Sequence, residues 1–382
     1  MNAFDVAIAG AGPSGAIAAR DLARAGARVA LVDGSHPREK PCGGGVTGRA
    51  LALVGLQPED AQTVDTAVFE TGSLRTAVPL PDAGCLRIIS RDCFDRALVD
   101  QAVEAGATLV SDRITDVARA AGRWTIAAGP HTLTAGWLFG ADGASGFVRK
   151  RVFRPFDRAQ LSIAAGCFVD GVHAREIVVR FVDRPQGYLW SFPRRGHLAV
   201  GTCAQANETS PSEMHAITDR WLDGYAPAAG RARRRYAWPI PSLDAAAIDR
   251  EAPAGDGWML LGDAAGLVDP ITREGIYFAI RSGMLAAAAV RKADPARAYG
   301  EAVRDELHDE LRRAARFKAG FFRPRFTRLL VEALEHSAGI REVLIDLIAG
   351  RQPYAGLKRR LLGTLEFGLM ARALTRSRTS IF

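Results

Sequence analysis

The sequence predicts an α/β fold, α+β overall, with a Rossmann-like dinucleotide-binding domain, an inserted antiparallel β domain and a helical C-terminal region. Three observations predict it: a β-α-β pattern with spaced glycines at the start, alternating β-rich runs in the middle, and a basic, leucine-spaced segment at the end. We expect the dinucleotide-binding domain in residues 1–75, 76–160 and 246–300, with a short excursion to the inserted sheet in the second segment. Residues 161–245 form the inserted domain and 301–382 the helical region.

The β-α-β pattern contains the turn Gly-Ala-Gly-Pro-Ser-Gly at residues 10–15, preceded by an apolar run at 6–9. An alanine-rich helical segment at 16–25 follows. A second apolar strand at 27–32 then ends on Asp33. The first glycine of such a turn permits a tight bend, the second lets a pyrophosphate approach the backbone, and the third lets helix and strand pack closely. The acid is placed to accept hydrogen bonds from a ribose, so the unit predicts a dinucleotide site.

A second anion-binding turn is predicted at residues 261–276, with the sequence LGDAAGLVDPITREGI. An apolar run closes there on Gly262 and Asp263, and small residues follow. This pattern indicates a strand that ends in a tight turn at the N-terminus of a helix. Exposed backbone N–H groups at such a helix end can hold an anion.

Two shorter segments repeat the pattern. Residues 89–95 open a predicted helix that Ser90 can cap, and Arg91 near its start can reach a phosphate. Residues 138–145 form an apolar strand that ends in Asp142 and a glycine. Several such turns indicate one extended cofactor contacted from several sides. FAD, with its adenosine, pyrophosphate, ribityl and isoalloxazine parts, is the expected cofactor.

Length and composition indicate a large folded enzyme. The 382 residues suffice for two or three domains, and 48% hydrophobic with 24% charged residues argue against disorder. The five cysteines lack regular spacing and the seven histidines are scattered, so we expect a reducing compartment and no metal site. The chain enters its first strand without the basic region of a secretory signal, and no apolar run is long enough to span a bilayer. A cytoplasmic protein is therefore expected.

Cys42 stands apart from the other cysteines because three glycines follow it on a flexible turn, where the backbone can approach a flat ring. It is a candidate proton donor, redox relay or flavin contact, or else a small structural residue. His36, close by in sequence, is predicted to lie on the surface of a turn. The remaining cysteines fall within strand or helix patterns and are predicted to be core residues: Cys85, Cys93, Cys167 and Cys203.

The net charge of +8 is concentrated at the C-terminal end, where residues 312–382 hold fifteen Lys/Arg and five Asp/Glu. Such a segment is a solvated helical surface, or it attracts anionic lipid, nucleic acid or an acidic redox partner protein. No nucleic-acid recognition motif accompanies it, so no nucleic-acid partner is expected. Leucines recur at every fourth position beside basic residues, which suits either a peripheral helix on the inner face of the membrane or a helix packed on a core. The recurring residues are Leu357, Leu361, Leu365 and Leu369.

The middle of the chain contains short β-rich runs that alternate apolar and polar residues, as in an antiparallel sheet with one covered face. Tyr188, Trp190 and Phe192 alternate, so they share one face. That face is either an ordinary core or an aromatic wall for a hydrophobic substrate. The runs are 162–170, 177–182, 187–192 and 197–204, with 231–238 as an additional strand.

The ordered segments GAGPSG, RDCFD, GADGAS and GDAAGLVDP resemble the flavoprotein group that contains para-hydroxybenzoate hydroxylase. Two further segments resemble the geranylgeranyl reductase family within that group. They are KPCGGG at 40–45, and YLWSFP at 188–193 with the trailing Gly196 and Gly201. The resemblance covers most of residues 1–290, and the C-terminal part adds little to it.

The resemblance implies a Rossmann-like FAD-binding domain. It also implies that Arg273 replaces an expected glycine at the border of the flavin, so the ring environment or the access of the reductant is expected to differ. The residues that it places at FAD are Gly10, Gly12, Pro13, Ser14, Gly15, Asp33, Arg91, Asp142, Gly262, Asp263, Pro270, Gly275 and Ile276. The residues that it makes catalytic candidates are Cys42, Tyr188 and Trp190.

The implied function is reduction of carbon–carbon double bonds in a prenyl chain or other hydrophobic substrate, by hydride transfer from N5 of reduced FAD. The same fold supports a flavin-dependent monooxygenase or halogenase acting on an aromatic or hydrophobic substrate, and Lys40 keeps halogenation open. A non-catalytic flavin-binding membrane adaptor is a third alternative. No second G-x-G-x-x-G follows an apolar strand, as a site for a nicotinamide cofactor would require, so the electron donor is NAD(P)H in transient contact, a flavin reductase or a ferredoxin.

Overall fold

The computed structural model describes residues 2–57, 60–80 and 86–364. The strands in that part of the chain are β1 (Asn2–Ala9), β2 (Val29–Val32), β3 (Gly45–Thr47), β4 (Gln62–Thr63), β5 (Thr66–Thr71), β6 (Leu74–Pro79), β7 (Leu86–Ile88), β8 (Thr108–Val110), β9 (Ile114–Ala120), β10 (Arg123–Ala128), β11 (His131–Gly140), β12 (Leu161–Asp170), β13 (Glu176–Val182), β14 (Gly187–Arg194), β15 (His197–Gln205), β16 (Arg233–Pro241), β17 (Ala254–Gly255) and β18 (Trp258–Leu260). The α-helices are α1 (Pro13–Arg24), α2 (Gly48–Val54), α3 (Arg91–Glu104), α4 (Phe147–Val152), α5 (Pro211–Asp223), α6 (Ala245–Asp249), α7 (Ile276–Ala289), α8 (Pro295–Val303), α9 (Asp309–Phe321), α10 (Pro324–His336), α11 (Ala338–Ile348) and α12 (Leu357–Gly363).

The first sheet is the predicted Rossmann-like one. Its strands follow the order β17-β18-β11-β1-β2-β8, and the β9–β10 hairpin extends it beside β11. β1 runs parallel to both β11 and β2, as in a β-α-β unit. Its strands read as continuous apolar runs because helices cover the sheet. α1 and α7 pack closely, since a Cβ on Gly283 would lie 2.4 Å from the Ser14 carbonyl oxygen.

The second sheet is the predicted inserted one, with the order β16-β12-β15-β14-β13-β5-β6. The five runs predicted in the middle of the chain correspond to β12–β16, and each of these pairs antiparallel with its neighbours among them. β5 pairs with β13 in parallel. The excursion into this sheet therefore spans 66–79 and lies mostly before the segment 76–160 in which it was expected. Its partner strand lies far along the chain, so local pattern could not assign the hairpin to a sheet.

A small third sheet, β3-β7-β4, lies between the two large ones. β3 starts at Gly45, directly after the turn that contains Cys42. Gly45 pairs with Ile88 of β7, and α3 follows β7 after two residues. The cysteine turn is therefore positioned at the junction of the two main sheets.

The C-terminal region is helical through Gly363, as expected. Its helices cover the hairpin of the second sheet, where Val331 and Leu334 of α10 share an apolar cluster with Phe69 of β5. Leu357 is buried in that cluster and Leu361 packs against it, so the first part of the leucine pattern faces a core. The other two leucines of the pattern lie outside the described residues. None of the described helices is long and apolar enough to cross a membrane.

Candidate functional site

One cavity of about 300 Å³ lies where the two large sheets and the C-terminal helices meet. Residues of both glycine turns line one part of it, and apolar side chains of the second sheet and of α9–α11 line the rest. Of the predicted site residues, those that line the cavity are Gly12, Pro13, Ser14, Cys42, Arg91, Tyr188, Trp190, Asp263, Gly275 and Ile276. Those that do not are Gly10, Gly15, Asp33, Asp142, Gly262 and Pro270.

The first glycine turn has the geometry of a phosphate cradle. Gly10 has a φ of 103°, which favours glycine, and a Cβ there would lie 2.4 Å from the Ala141 carbonyl oxygen. A Cβ on Gly15 would lie 1.9 Å from the Gly10 oxygen, so this glycine lets α1 approach the turn. A Cβ on Gly12 would be in ordinary contact with Lys40 Nζ at 3.5 Å and His36 Nε2 at 3.8 Å, without a clash. The free N–H groups at the start of α1 therefore fit the pyrophosphate of FAD.

Asp33 directly follows β2, as predicted, and its carboxylate already accepts hydrogen bonds within the protein. It accepts hydrogen bonds from the backbone N–H groups of Ala11 and Ser35, at 2.9 and 2.7 Å. His36 Nδ1 lies 2.6 Å from Asp33 Oδ2, and Nε2 lies 3.4 Å from Asp95 Oδ2. Burial alone would raise the pKa of Asp33, but His36 and these N–H groups lower it well below its ordinary value. A role at the ribose stays a prediction.

His36 was expected on a turn surface, and that expectation is wrong. Its side chain is only 6% exposed. The turn folds the imidazole inward between two carboxylates that are separated in sequence, and no local pattern indicates this arrangement.

Arg91 lies beside the cysteine turn. Its guanidinium makes two hydrogen bonds of 2.9 Å to Asp95, and Nη1 is 3.9 Å from Cys42 Sγ. Although burial opposes the charge, Asp95 raises the pKa of Arg91, so it stays cationic. Much of this charge is compensated by Asp95, and contact with the pyrophosphate stays a prediction.

The turn after Cys42 depends on its glycines. The Cys42 sulfur accepts the N–H of Gly44 at 3.1 Å. Gly44 has a φ of 83°, and a Cβ on it would lie 2.4 Å from the Ile89 carbonyl oxygen. A Cβ on Gly43 would lie 2.6 Å from the Phe192 ring. The two motifs that carry the reductase resemblance are therefore in direct contact.

Arg194, which sequence reasoning missed, reinforces this contact. It follows the aromatic stretch of β14 directly and is almost fully buried. Its Nη2 donates to the Cys42 carbonyl oxygen, and Nε donates to the Gly43 oxygen over 3.2 Å. Its Nη1 pairs with Glu39. The only local indication was a charged residue at the end of an otherwise apolar strand.

The aromatic residues of β14 form a wall of the cavity. The Tyr188 hydroxyl donates to the Thr272 carbonyl oxygen over 3.1 Å, and burial raises its pKa above the ordinary value. The Trp190 ring lies over Gly201 of β15, where a Cβ would lie 2.5 Å from the ring. Phe192 completes the wall against the cysteine turn. Gly201, a trailing glycine of the motif, therefore leaves the space that the Trp190 indole occupies.

The second glycine turn positions Asp263 at the cavity. Gly262 begins a 3₁₀ turn after β18, and its N–H donates to Ser282 Oγ over 3.0 Å. Burial raises the pKa of Asp263, while the cations of Lys40 and Arg91 lower it. Lys40, which sequence reasoning did not place at the cofactor, lines the cavity, and burial lowers its pKa.

We call residues 269–275, between this turn and α7, the flavin loop, after the predicted position of Pro270 and Gly275 at the flavin. Asp269 Oδ1 accepts the N–H groups of Ile271 and Thr272, at 2.7 and 3.0 Å. Pro270 turns away from the cavity, and its carbonyl oxygen accepts a hydrogen bond from Arg273. Gly275 and the helix start after it remain at the cavity, consistent with a cofactor ring lying there.

Arg273 keeps the backbone shape of the glycine that it replaces. Its φ is 60°, in the left-handed region that favours glycine. Its Nη1 donates to Ser242 Oγ over 2.6 Å. The departure from the family pattern therefore puts a side chain at a backbone position that favours glycine.

Asp142 shapes the turn after β11 and does not face the cavity. Its Oδ2 accepts the N–H of Val148 at 2.9 Å and so closes the start of α4. Its Oδ1 is buried without a hydrogen-bond partner among the described residues, and burial raises its pKa.

The other cysteines divide between core and surface. Cys167 and Cys203 are buried, as predicted. Cys93 is exposed, so its prediction as a core residue is wrong, because α3 turns that position to solvent. Cys85 lies outside the described residues. Within the described ranges no group of three or more His, Cys, Asp or Glu side chains could hold a metal ion.

A Rossmann-like sheet and two glycine turns that meet in one cavity define a FAD-dependent oxidoreductase. The chain belongs to the FAD binding domain family, whose model matches residues 3–316. It is 30% identical over 305 residues to an uncharacterized protein of Methanosarcina barkeri, covering 75% of this chain and 74% of that protein.

A sequence relative supports the resemblance to the geranylgeranyl reductase family, and a solved structure shows the same fold. The chain is 25% identical over 393 residues to digeranylgeranylglycerophospholipid reductase 2 of Methanopyrus kandleri, covering 91% of this chain and 93% of that one. The structure of a geranylgeranyl bacteriochlorophyll reductase-like protein from Thermoplasma acidophilum shares the fold. Its TM-score is 0.79 at 22% identity, over 95% of this chain and 100% of that one.

Proposed function

We propose that this protein reduces carbon–carbon double bonds in a prenyl chain or a similar hydrophobic substrate. The observation that carries the proposal is the continuity of the cavity, which joins the two cofactor turns to a long apolar surface. The apolar residues of that surface are Phe69, Ile177, Val179, Phe181, Phe321, Phe322, Leu330, Leu344, Leu347 and Ile348. A cavity of this kind suits a flexible hydrocarbon better than a small polar metabolite.

The chemistry needs a hydride on one alkene carbon and a proton on the other. Reduced FAD supplies the hydride when it is bound. The protein holds the alkene against Trp190 and Phe192 and excludes water from the reacting carbons. Orientation of this kind supplies much of the rate enhancement in a two-reactant step.

Cys42 is the proposed proton donor. It lines the cavity beside the aromatic wall, and the Gly44 N–H and the carbonyl contacts of Arg194 fix its turn. Tyr188 suits this role less well, because its hydroxyl already donates to Thr272 and its pKa is raised. We assign Tyr188 to holding the wall against the flavin loop.

Lys40 supports a second candidate function. A half-buried lysine at the cavity, with a lowered pKa, is also compatible with oxygen-dependent halogenation or hydroxylation on this fold. The two candidates differ in their need for oxygen.

Two partners are further proposals. The electron donor is NAD(P)H, a flavin reductase or a ferredoxin, and the basic C-terminal region is the proposed contact with a donor protein or with an anionic membrane surface.

An anaerobic assay tests the function. The purified protein is reduced with dithionite without oxygen, prenyl lipids are added, and flavin absorbance is followed. We expect substrate-dependent reoxidation and a product heavier by two hydrogens. Conversion that requires oxygen and carries label from isotopic oxygen would instead establish the monooxygenase alternative, and a bromide- or chloride-dependent product would establish the halogenase.

A further inference from the structure

Two cations beside the cavity donate to one serine hydroxyl. Arg273 lines the cavity, and its Nη1 donates to Ser242 Oγ over 2.6 Å. Lys318 of α9 donates to the same Oγ over 2.6 Å and to Gln205 Oε1 over 2.7 Å. Among the described residues, neither cation forms an ion pair with an acidic side chain. Two like charges that share one hydroxyl in a partly buried place repel each other unless an anion joins them.

The guanidinium of Arg273 has one unused hydrogen-bond donor among the contacts of the described residues. Its Nε is buried and has no hydrogen-bond partner among the described residues. Its backbone also adopts a left-handed conformation that disfavours a side chain. Residues in such conformations persist where surrounding contacts hold them, often at ligand-binding positions. The loop therefore holds a guanidinium at the cavity with part of its binding capacity unused.

The same helix connects this pair of cations to the apolar cavity. Phe322 directly follows α9 and comes four residues after Lys318, so both residues belong to the C-terminal end of this helix. Phe322 lines the cavity and stacks near the Tyr188 ring, with centroids 6.1 Å apart. A ligand with an anionic end at Lys318 can therefore continue as an apolar chain past Phe322.

We propose that Arg273 and Lys318 form a subsite for the phosphate or diphosphate head group of an amphipathic substrate whose apolar chain occupies the cavity. A planar guanidinium matches phosphate oxygens, and an ammonium adds a compact second charge. Two cations suit a divalent anion better than a carboxylate. The identity of the substrate rests on the proposed function, whereas binding of an anion at this place does not.

Sulfate, a phosphate-sized dianion, is the probe for the first test. It is titrated calorimetrically into the FAD-loaded protein and into the Arg273→Gly and Lys318→Met variants. Each variant is expected to lose affinity roughly ten- to hundredfold, the range for a lost charge-assisted hydrogen bond. Arg273→Gly restores the residue that the backbone favours, so it should fold with an unchanged or higher Tm. Lys292→Met, at an exposed turn, is the matched control and should bind sulfate normally.

Sulfate affinity that is unchanged in both subsite variants would overturn the proposal, as would loss of affinity in the Lys292→Met control. FAD content is measured in every variant. If Arg273→Gly lost FAD, Lys318→Met with full FAD would still decide the outcome.

Dependence on pH gives an independent readout. Burial, and then the charge of Arg273, lower the pKa of Lys318 to about 7, while Cys203, Glu208 and Asp244 act in the opposite direction. Lys318 therefore loses its proton as the pH rises through about 7, whereas sulfate keeps its charge. Wild-type affinity should fall across this range, and Lys318→Met should show no such fall. A flat wild-type profile would remove Lys318 from the subsite.

The anaerobic assay separates the sources of phosphate. It compares a prenyl alcohol, its diphosphate and a prenylated glycerophospholipid of the same chain length. Arg273→Gly should raise KM for the phosphorylated member that is the substrate more than it raises KM for the alcohol. An equal effect on all three would contradict the subsite. If sulfate bound as expected and no alkene were reduced, the subsite would stand and the proposed reductase function would fall.

Discussion

At the scale of single residues, Cys42 is the side chain whose surroundings are specified most completely. Its carbonyl oxygen, its sulfur and the next two glycines each have a defined contact. Arg194 reaches this turn from β14 and Arg91 reaches it from α3. Two other segments thus hold the turn that places this thiol at the wall of the cavity.

The first residue-scale prediction concerns proton donation. Cys42→Ala removes the proton and Cys42→Ser replaces the thiol with a much weaker acid. Both should retain FAD and accept electrons normally. Anaerobic reoxidation by substrate should slow, more in the alanine variant, by about a hundred- to ten-thousandfold, which is typical of a lost general acid. Stopped-flow absorbance of the flavin measures this rate.

The exposed Cys93 gives the matched control, and Cys93→Ala should reoxidise at the wild-type rate. An unchanged rate in Cys42→Ala with full FAD occupancy would exclude this thiol and leave water as the proton donor.

At the scale of elements, the register between β14 and β15 explains the aromatic motif. Trp190 pairs directly with Gly201, and the indole lies across the glycine backbone. Any Cβ at this position would enter the ring. The pairing of β14 with β15 therefore needs both residues. Gly201 provides the space, and the Trp190 indole forms the wall of the cavity.

We predict that Gly201→Ala destabilises the fold by about 1–3 kcal/mol, as for other overpacked positions. Chemical denaturation with a two-state fit measures the change. Gly300→Ala provides the control, because Gly300 lies in α8 with nothing within 4 Å of a virtual Cβ. That substitution should stabilise the protein by about 0.5–1 kcal/mol. Equal effects of the two changes would show that the indole moves aside at little cost.

At the scale of the whole molecule, the C-terminal helical region supports the cofactor end of the cavity. The Tyr354 hydroxyl donates over 2.9 Å to Asp269 Oδ2, and Asp269 Oδ1 shapes the flavin loop. Arg49 links Glu274 of the loop, at 2.9 Å, to the Gly350 carbonyl oxygen, at 3.4 Å. The last helices are therefore part of the site and do more than cover the second sheet.

Tyr354→Phe should weaken FAD retention and lower stability by about 1–3 kcal/mol, because a buried carboxylate oxygen loses its donor. Equilibrium dialysis measures FAD retention and denaturation measures stability. Tyr225→Phe is the control, since that ring stacks on Trp221 away from the cavity. The proposed support of the loop would be contradicted by normal FAD binding in Tyr354→Phe.

The sequence by itself determined the features that depend on local spacing. The β-α-β unit around Gly10 and Gly15 and the alternating strands of the middle follow from periodicity and from the conformational freedom of glycine. The reductase family followed from two short motifs, around Cys42 and around Trp190. Each of these features involves residues that lie close together along the chain, so pattern alone is enough.

Only the tertiary structure decided which distant residues meet. The burial of His36, the contact of Arg194 with the cysteine turn, and the pairing of β5 with β13 join segments far apart in sequence. The sequence showed that Arg273 departs from the family pattern. It showed neither the left-handed backbone of Arg273 nor the Ser242 hydroxyl that Arg273 shares with Lys318. Such contacts depend on how sheets and helices pack against each other, and packing of this kind leaves no period or spacing in the sequence.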